Sequence, residues 1–191
     1  MIKTIRSTIT IFGFFTILTG VLYPLLITGA AQILFPLQAN GSMIIAMDGR
    51  IYGSALIGQS FTDPKYFWGR LSATTEYPYN AVASEGSNYS VLNEALLKQA
   101  QVRINELHAA DPQNALPIPA DLVSSSGSGL DPDISISAAL YQAARVARVR
   151  GLSIDQIHAL IDQNTTGRTF GFLGEPRVNV LNLNIALDAL K

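Results

Sequence analysis

Residues 9–35 read ITIFGFFTILTGVLYPLLITGAAQILF, and no Asp, Glu, Lys or Arg lies between Arg6 and Asp48. A helix needs about 20 apolar residues to cross a hydrocarbon core of about 30 Å. This run is longer, so it spans with some tilt. A cleaved signal peptide is the rival reading. Lys3 and Arg6 look like its basic start, and Thr28-Gly29-Ala30-Ala31 is a small-residue patch. The apolar core of a signal peptide runs only about 7–15 residues, however. An uncleaved transmembrane helix over residues 9–35 is therefore expected.

The flanks orient it. Lys3 and Arg6 precede the span, and the first charges after it, Asp48 and Arg50, are distant. Cytoplasmic flanks carry the excess of Lys and Arg. Residues 1–8 are thus expected in the cytoplasm and residues 36–191 outside, as a single-pass protein of the inner (plasma) membrane. Setting Lys3 and Arg6 aside leaves 11 Lys and Arg against 14 Asp and Glu, a mildly acidic exported part. Within the span, Pro24 removes a backbone donor and is expected to kink the helix. Gly13, Thr16, Gly20 and Pro24 recur at helical spacing. Small residues on one face let another helix approach closely, so this face is expected to pack on a partner helix.

Composition excludes whole classes. The chain has 191 residues, a formal net charge of −1, no Cys and 14% charged residues, against about 25% in an average soluble domain. There is no cationic excess for nucleic acid. Without Cys there is no disulfide framework, thiol nucleophile or thiolate metal site.

The exported part reads as one mixed α+β domain. Apolar stretches at residues 43–46 and 51–57 flank Asp48-Gly49, a hairpin signal. Residues 62–88 are aperiodic yet hold Tyr66, Phe67, Trp68, Tyr77 and Tyr79, just after Phe61. That much aromatic area packs against something. The loop is either core or a contact with another protein, with core preferred for Trp68. Asn93 is expected to cap a helix to about His108, with Leu92, Leu96, Ala100 and Leu107 as its apolar stripe. Leu122-Val123 is expected to open a short strand. A helix from Ser135 or Ser137 to Arg150 is expected to end at Gly151. Ser153 and Gln156 form a capping box for residues 154–162. Val178 and Val180 alternate as a strand, and Asn182 is expected to cap a last helix, residues 183–190.

Catalytic signals are sparse. No Gly-Lys-Ser/Thr phosphate loop, metalloprotease helix motif or G-x-S-x-G elbow occurs. No Asp stands in the Lys-Thr-Gly context of a phosphorylated pump. His108 and His158 are isolated. No catalytic residue and no metal site is predicted. Two features rise above background. Ser126 and Ser128, within residues 124–129 (SSSGSG), could turn backbone N–H groups toward an anion, or form an ordinary loop. Gln142 and Arg145 stand one turn apart and could hold a nucleotide or carboxylate, or form a solvated face.

Ordered motifs along the chain carry a resemblance. They include Tyr23-Pro24-Leu25, Asn40-Gly41-Ser42, Gly53-Ser54-Ala55-Leu56-Ile57-Gly58-Gln59 and Tyr66-Phe67-Trp68-Gly69-Arg70. Asp121-Leu122-Val123, Ser126-Gly127-Ser128-Gly129-Leu130-Asp131-Pro132-Asp133-Ile134-Ser135 and Val178-Asn179-Val180-Leu181 follow, with Leu183-Asn184 and Ala186-Leu187-Asp188 at the end. The set resembles the KdpC family, a subunit of the bacterial high-affinity potassium-transporting P-type ATPase known as the Kdp complex, over essentially the whole chain. Leu71 stands where that family usually has Pro, Glu85 where it has a small residue, and Ser124 where Thr is common.

The resemblance implies a non-catalytic accessory subunit of a potassium uptake pump. It implies a role in assembly and in raising the ATP affinity of the hydrolysing subunit. The implied partners are that subunit, a potassium-conducting subunit, a small membrane subunit and the bilayer, with no nucleic acid. ATP enters through the hydrolysing subunit. In a literal co-chaperone reading, Gln142, Arg145, Ser126 and Ser128 touch the nucleotide. The alternative to the whole reading is a membrane-anchored extracytoplasmic hydrolase.

Overall fold

The structure is a computed structural model that describes residues 1–46 and 48–190. It divides into two compact units, Met1–Ser54 and Ala55–Lys191.

The first unit is dominated by a continuous helix, Ile2–Leu34, of 33 residues. It comprises α1 (Ile2–Ile17), a π turn (Leu18–Leu22) and α2 (Tyr23–Leu34). Pro24 does not end it. Pro24 has no N–H for the Gly20 carbonyl, and its ring crowds that oxygen. The preceding turn widens instead, and the Tyr23 N–H donates to Leu18 five residues back. Such π turns are a recognised way of absorbing a misfit. No residue of the helix is buried within the unit, as its length and apolar composition require of a segment that can cross a membrane. After α3 (Pro36–Ala39) comes the expected hairpin, β1 (Met43–Ile45) against β2 (Ile51–Ser54), with Met43 opposite Ser54. At its turn the Arg50 N–H donates to Asp48 Oδ1, 3.0 Å.

The second unit is α+β. Its elements are α4 (Glu94–Ala110), α5 (Ala120–Val123), β3 (Asp133–Ser135), α6 (Ile136–Arg150), α7 (Ile154–Gln163), β4 (Thr165–Thr166), β5 (Arg177–Asn179) and α8 (Val180–Ala189). The sheet order is β3-β5-β4, all antiparallel, with Val178 opposite both Ile134 and Thr165. Local chemistry sets the helix ends. Asn93 and Ser135 accept bonds from the first turns of α4 and α6. Gly151 ends α6 at φ +67°, where glycine is unstrained. Ser153 and Gln156 form the expected capping box on α7.

Three expectations are corrected. Leu122-Val123 lies in the short helix α5, since Leu122 is buried in the core and the extended bridge falls later, between Ser125 and Leu71. Asn179, not Asn182, caps the last helix, accepting a bond from the Asn182 N–H, so Val180 begins α8. The stripe on α4 is also different. Leu92 is exposed, and Arg103 is buried beside Leu107.

Helix α6 runs through the core. Ala138, Ala139, Ala143, Val146 and Ala147 are all buried, beside Ile157 and Ile161 of α7, Leu183 and Leu187 of α8, and Ile134 and Val178 of the sheet. Its alanines leave little side-chain volume, so other segments can approach its backbone closely.

Candidate functional site

Residues 55–93 contain no helix and no strand beyond the single bridge at Leu71. Even so, Phe67 is fully buried and Trp68 is 5% exposed. A loop inside a core must still satisfy its backbone N–H and C=O groups. Here side chains do so. Asn184 donates to the Phe67 carbonyl and accepts from the Phe67 N–H, both at 2.9 Å. Gln142 does the same at Trp68, accepting at 2.8 Å and donating at 3.1 Å. Arg145 donates to the carbonyls of Pro64 and Tyr66, and Arg150 to that of Lys65 at 3.0 Å. Arg103 donates to the Gly69 carbonyl at 3.0 Å. Six consecutive carbonyls, residues 64–69, are thus held by side chains from α4, α6 and α8.

The aromatic rings complete this clamp. The Trp68 ring has the Arg103 guanidinium 4.9 Å and the Arg145 guanidinium 4.7 Å from its centre. Tyr66 donates to Asp188 at 2.9 Å, and Asp188 pairs with Arg150 at 2.6 Å. That bond favours the neutral phenol and pushes Tyr66 up. Burial holds Arg145 down to about 10, so it stays charged at neutral pH. Arg145 accordingly leans on carbonyl dipoles, the Trp68 face and the Gln142 oxygen at 2.7 Å. Tyr79 covers the other side, donating to the Arg70 carbonyl at 2.6 Å, and burial raises it to about 12. A Cβ on Gly69 would come within 2.8 Å of the Tyr79 oxygen, which explains a glycine there.

Gln142 and Arg145 are therefore adjacent but not solvated; they are 1% and 2% exposed, and their polar atoms face the loop. Ser126 and Ser128 lie elsewhere. The Ser126 N–H donates to Leu71, and its buried hydroxyl has no partner. Ser128 is exposed; its carbonyl accepts from the Ser84 hydroxyl, and its own hydroxyl accepts from the Leu130 N–H. In the first unit, Gly13 and Gly20 have open space where a Cβ would sit, and Thr16 and Pro24 are exposed. The π turn lies between Thr16 and Pro24 and shifts the register along that face. Among the described residues no group of His, Asp or Glu is placed to hold a metal ion, and His108 and His158 are exposed on their helices.

A family profile described as "K+-transporting ATPase, c chain", KdpC, matches residues 5–189. The chain belongs to the KdpC family. The KdpC subunit of Herpetosiphon aurantiacus is 61% identical over 177 residues, 93% of this chain and 91% of its own. That of Methylococcus capsulatus is 56% identical over the full length of both chains. That of Polaromonas naphthalenivorans is 58% identical over all of this chain and 97% of its own. Of the clamp residues, sequence reading singled out Gln142 and Arg145 but missed Arg103, Arg150 and Asn184 as ligands of the loop. Asn184 carried a readable signal, since an amide between Leu183 and Leu187 on an apolar helix needs a buried partner.

Proposed function

We propose that the chain is an accessory, non-catalytic subunit of an ATP-driven potassium uptake pump. Residues 9–35 anchor it in the inner membrane, residues 1–8 are cytoplasmic, and residues 36–191 form the extracytoplasmic part. It acts in assembly, and the Gly13, Thr16, Gly20 and Pro24 face packs on a partner subunit's helix. Its partners are the potassium-conducting, ATP-hydrolysing and small membrane subunits. It raises the ATP affinity of the hydrolysing subunit indirectly, through the membrane helices.

The observation that carries this reading is the clamp. The domain's densest set of buried polar side chains holds its own loop, with Gln142 and Arg145 bonded to backbone at residues 64, 66 and 68. A nucleotide reaching them would have to displace those bonds. The domain is thus built to present a rigid surface. Membership of the KdpC family supplies the assembly in which that surface acts.

Three experiments test the reading. The pure wild-type chain should not hydrolyse ATP, and measurable turnover overturns the non-catalytic assignment. A reporter that works only in the cytoplasm, fused after Lys191, should be silent, and full activity overturns the orientation. Gly20→Leu should block close helix approach and reduce recovery of the complex, while Ile11→Leu should not.

A further inference from the structure

The segment joining β4 to β5 ends in an apolar tip. Phe170 is 84% exposed, Phe172 70% and Leu173 49%. The tip is built rather than slack. The Thr169 N–H donates to Leu173 at 2.9 Å, and the Leu173 N–H returns to Thr169 at 3.0 Å. At its base, Arg168 makes a two-pronged contact with Glu175, 3.0 and 2.7 Å. Phe170 sits at φ +54°, a left-handed conformation that a bulky side chain adopts only when the surroundings impose it. An aromatic held at such a backbone position with its ring in water has no role in packing this domain.

Glu175 also lines a neighbouring cleft of about 310 Å³. Four carboxylates, Asp121, Asp131, Asp133 and Glu175, face two guanidinia, Arg70 and Arg177. Arg70 pairs with Asp131 at 2.9 Å and Arg177 with Asp133 at 2.8 Å. Among the described residues no cation pairs with Asp121; it accepts the Ser135 N–H at 2.7 Å. The surface is therefore an aromatic knob beside an acidic hollow.

That chemistry selects its occupant. Segments that lodge at a bilayer surface carry Trp, Tyr and basic residues. This tip has none of the first two, and the acidic hollow repels anionic headgroups. Interfaces between proteins have apolar aromatic anchors with a charged rim. We infer that the Phe170–Phe172–Leu173 tip and its acidic cleft dock on another subunit of the same complex, at an apolar socket flanked by a basic side chain. This rests on the reading that the chain works inside an assembled pump.

The test uses the full chain co-expressed with the other subunits. A benzophenone amino acid in place of Phe170 should, on irradiation, join this chain covalently to another subunit. Adducts only with lipid, only with a second copy, or with nothing overturn the inference. Phe170→Gly sharpens it, because glycine accepts φ +54° without strain. The free variant should melt no lower than wild type, while recovery of the complex falls at least tenfold. Undiminished recovery, or a lowered melting temperature of the free chain, overturns the docking role. If the wild-type chain itself fails to co-purify with other subunits, it is the accessory-subunit reading that fails.

Discussion

Residues 64–69 and residues 169–174 are both short aromatic loops without regular structure, and they have opposite fates. The first is swallowed by the core. Phe67 is fully buried, and helix side chains take up each of its carbonyls. The second stands in solvent, tied by its own backbone and one ion pair. Aromatic content alone does not decide which fate a loop meets. The difference lies in what faces the backbone. A loop enters a core only where buried donors and acceptors replace water around its peptide groups. Gln142, Arg145 and Asn184 do this for residues 64–69, and nothing equivalent faces residues 169–174.

The largest test of the contrast is Trp68→Ala. Removing a buried indole between two guanidinia should destabilise the chain by about 3–5 kcal/mol. Thermal unfolding of the detergent-solubilised protein should then begin well below wild type, and an unchanged midpoint would place residues 64–69 with the surface loops. Gln142→Met comes next. It keeps most of the volume but leaves the Trp68 N–H and C=O and one Arg145 donor without partners. The expected loss is about 2–3 kcal/mol in denaturant unfolding. A loss no larger than that of an exposed substitution would mean that the clamp is incidental to the loop's burial.

Alkaline pH probes the clamp's outer wall. Burial raises the Tyr79 phenol from its ordinary value of 10.0 to about 12 in the folded chain. A folded-state pKa above the unfolded one means the stabilisation is fully present below pH 10 and fades as pH rises to about 12. Comparing wild type with Tyr79→Phe across that window isolates this residue, because other groups titrate in both. Wild type should lose up to about 2–3 kcal/mol relative to the variant. Equal slopes would show that Tyr79 ionises as freely as an exposed phenol. The smallest effect belongs to the other loop. Phe172→Ser should change the stability of the free chain by no more than about 0.5 kcal/mol, as at exposed positions generally. A loss of several kcal/mol would erase the distinction between the two loops.

Much of this architecture is legible from local sequence. The apolar run at residues 9–35, the Ser153–Gln156 box, the Asn93 and Ser135 caps and the Gly151 stop are each set by neighbours within a few residues. The structure places them accordingly, with the membrane-length helix beginning earlier, at Ile2. The misread elements sit where local cues compete. Val180 alternates with Val178 as in a strand, yet Asn179 caps a helix at that point. Leu122-Val123 is β-branched in part, yet the core draws Leu122 inward on a short helical turn.

What the sequence by itself determined is therefore the class of the molecule: one helix able to cross a membrane, joined to an α+β domain, with ordered motifs specific enough to indicate the family. Those features depend on composition and on spacings of three or four residues, which a single chain displays directly. Only the tertiary structure decided the roles of Gln142, Arg145, Asn184 and Arg103. Their partners lie from 34 to 117 residues away in the chain. The same side chains on an isolated helix would read as a solvated face or as the start of a ligand site. Their meaning is set by which backbone the fold brings against them, a long-range property that no local pattern encodes.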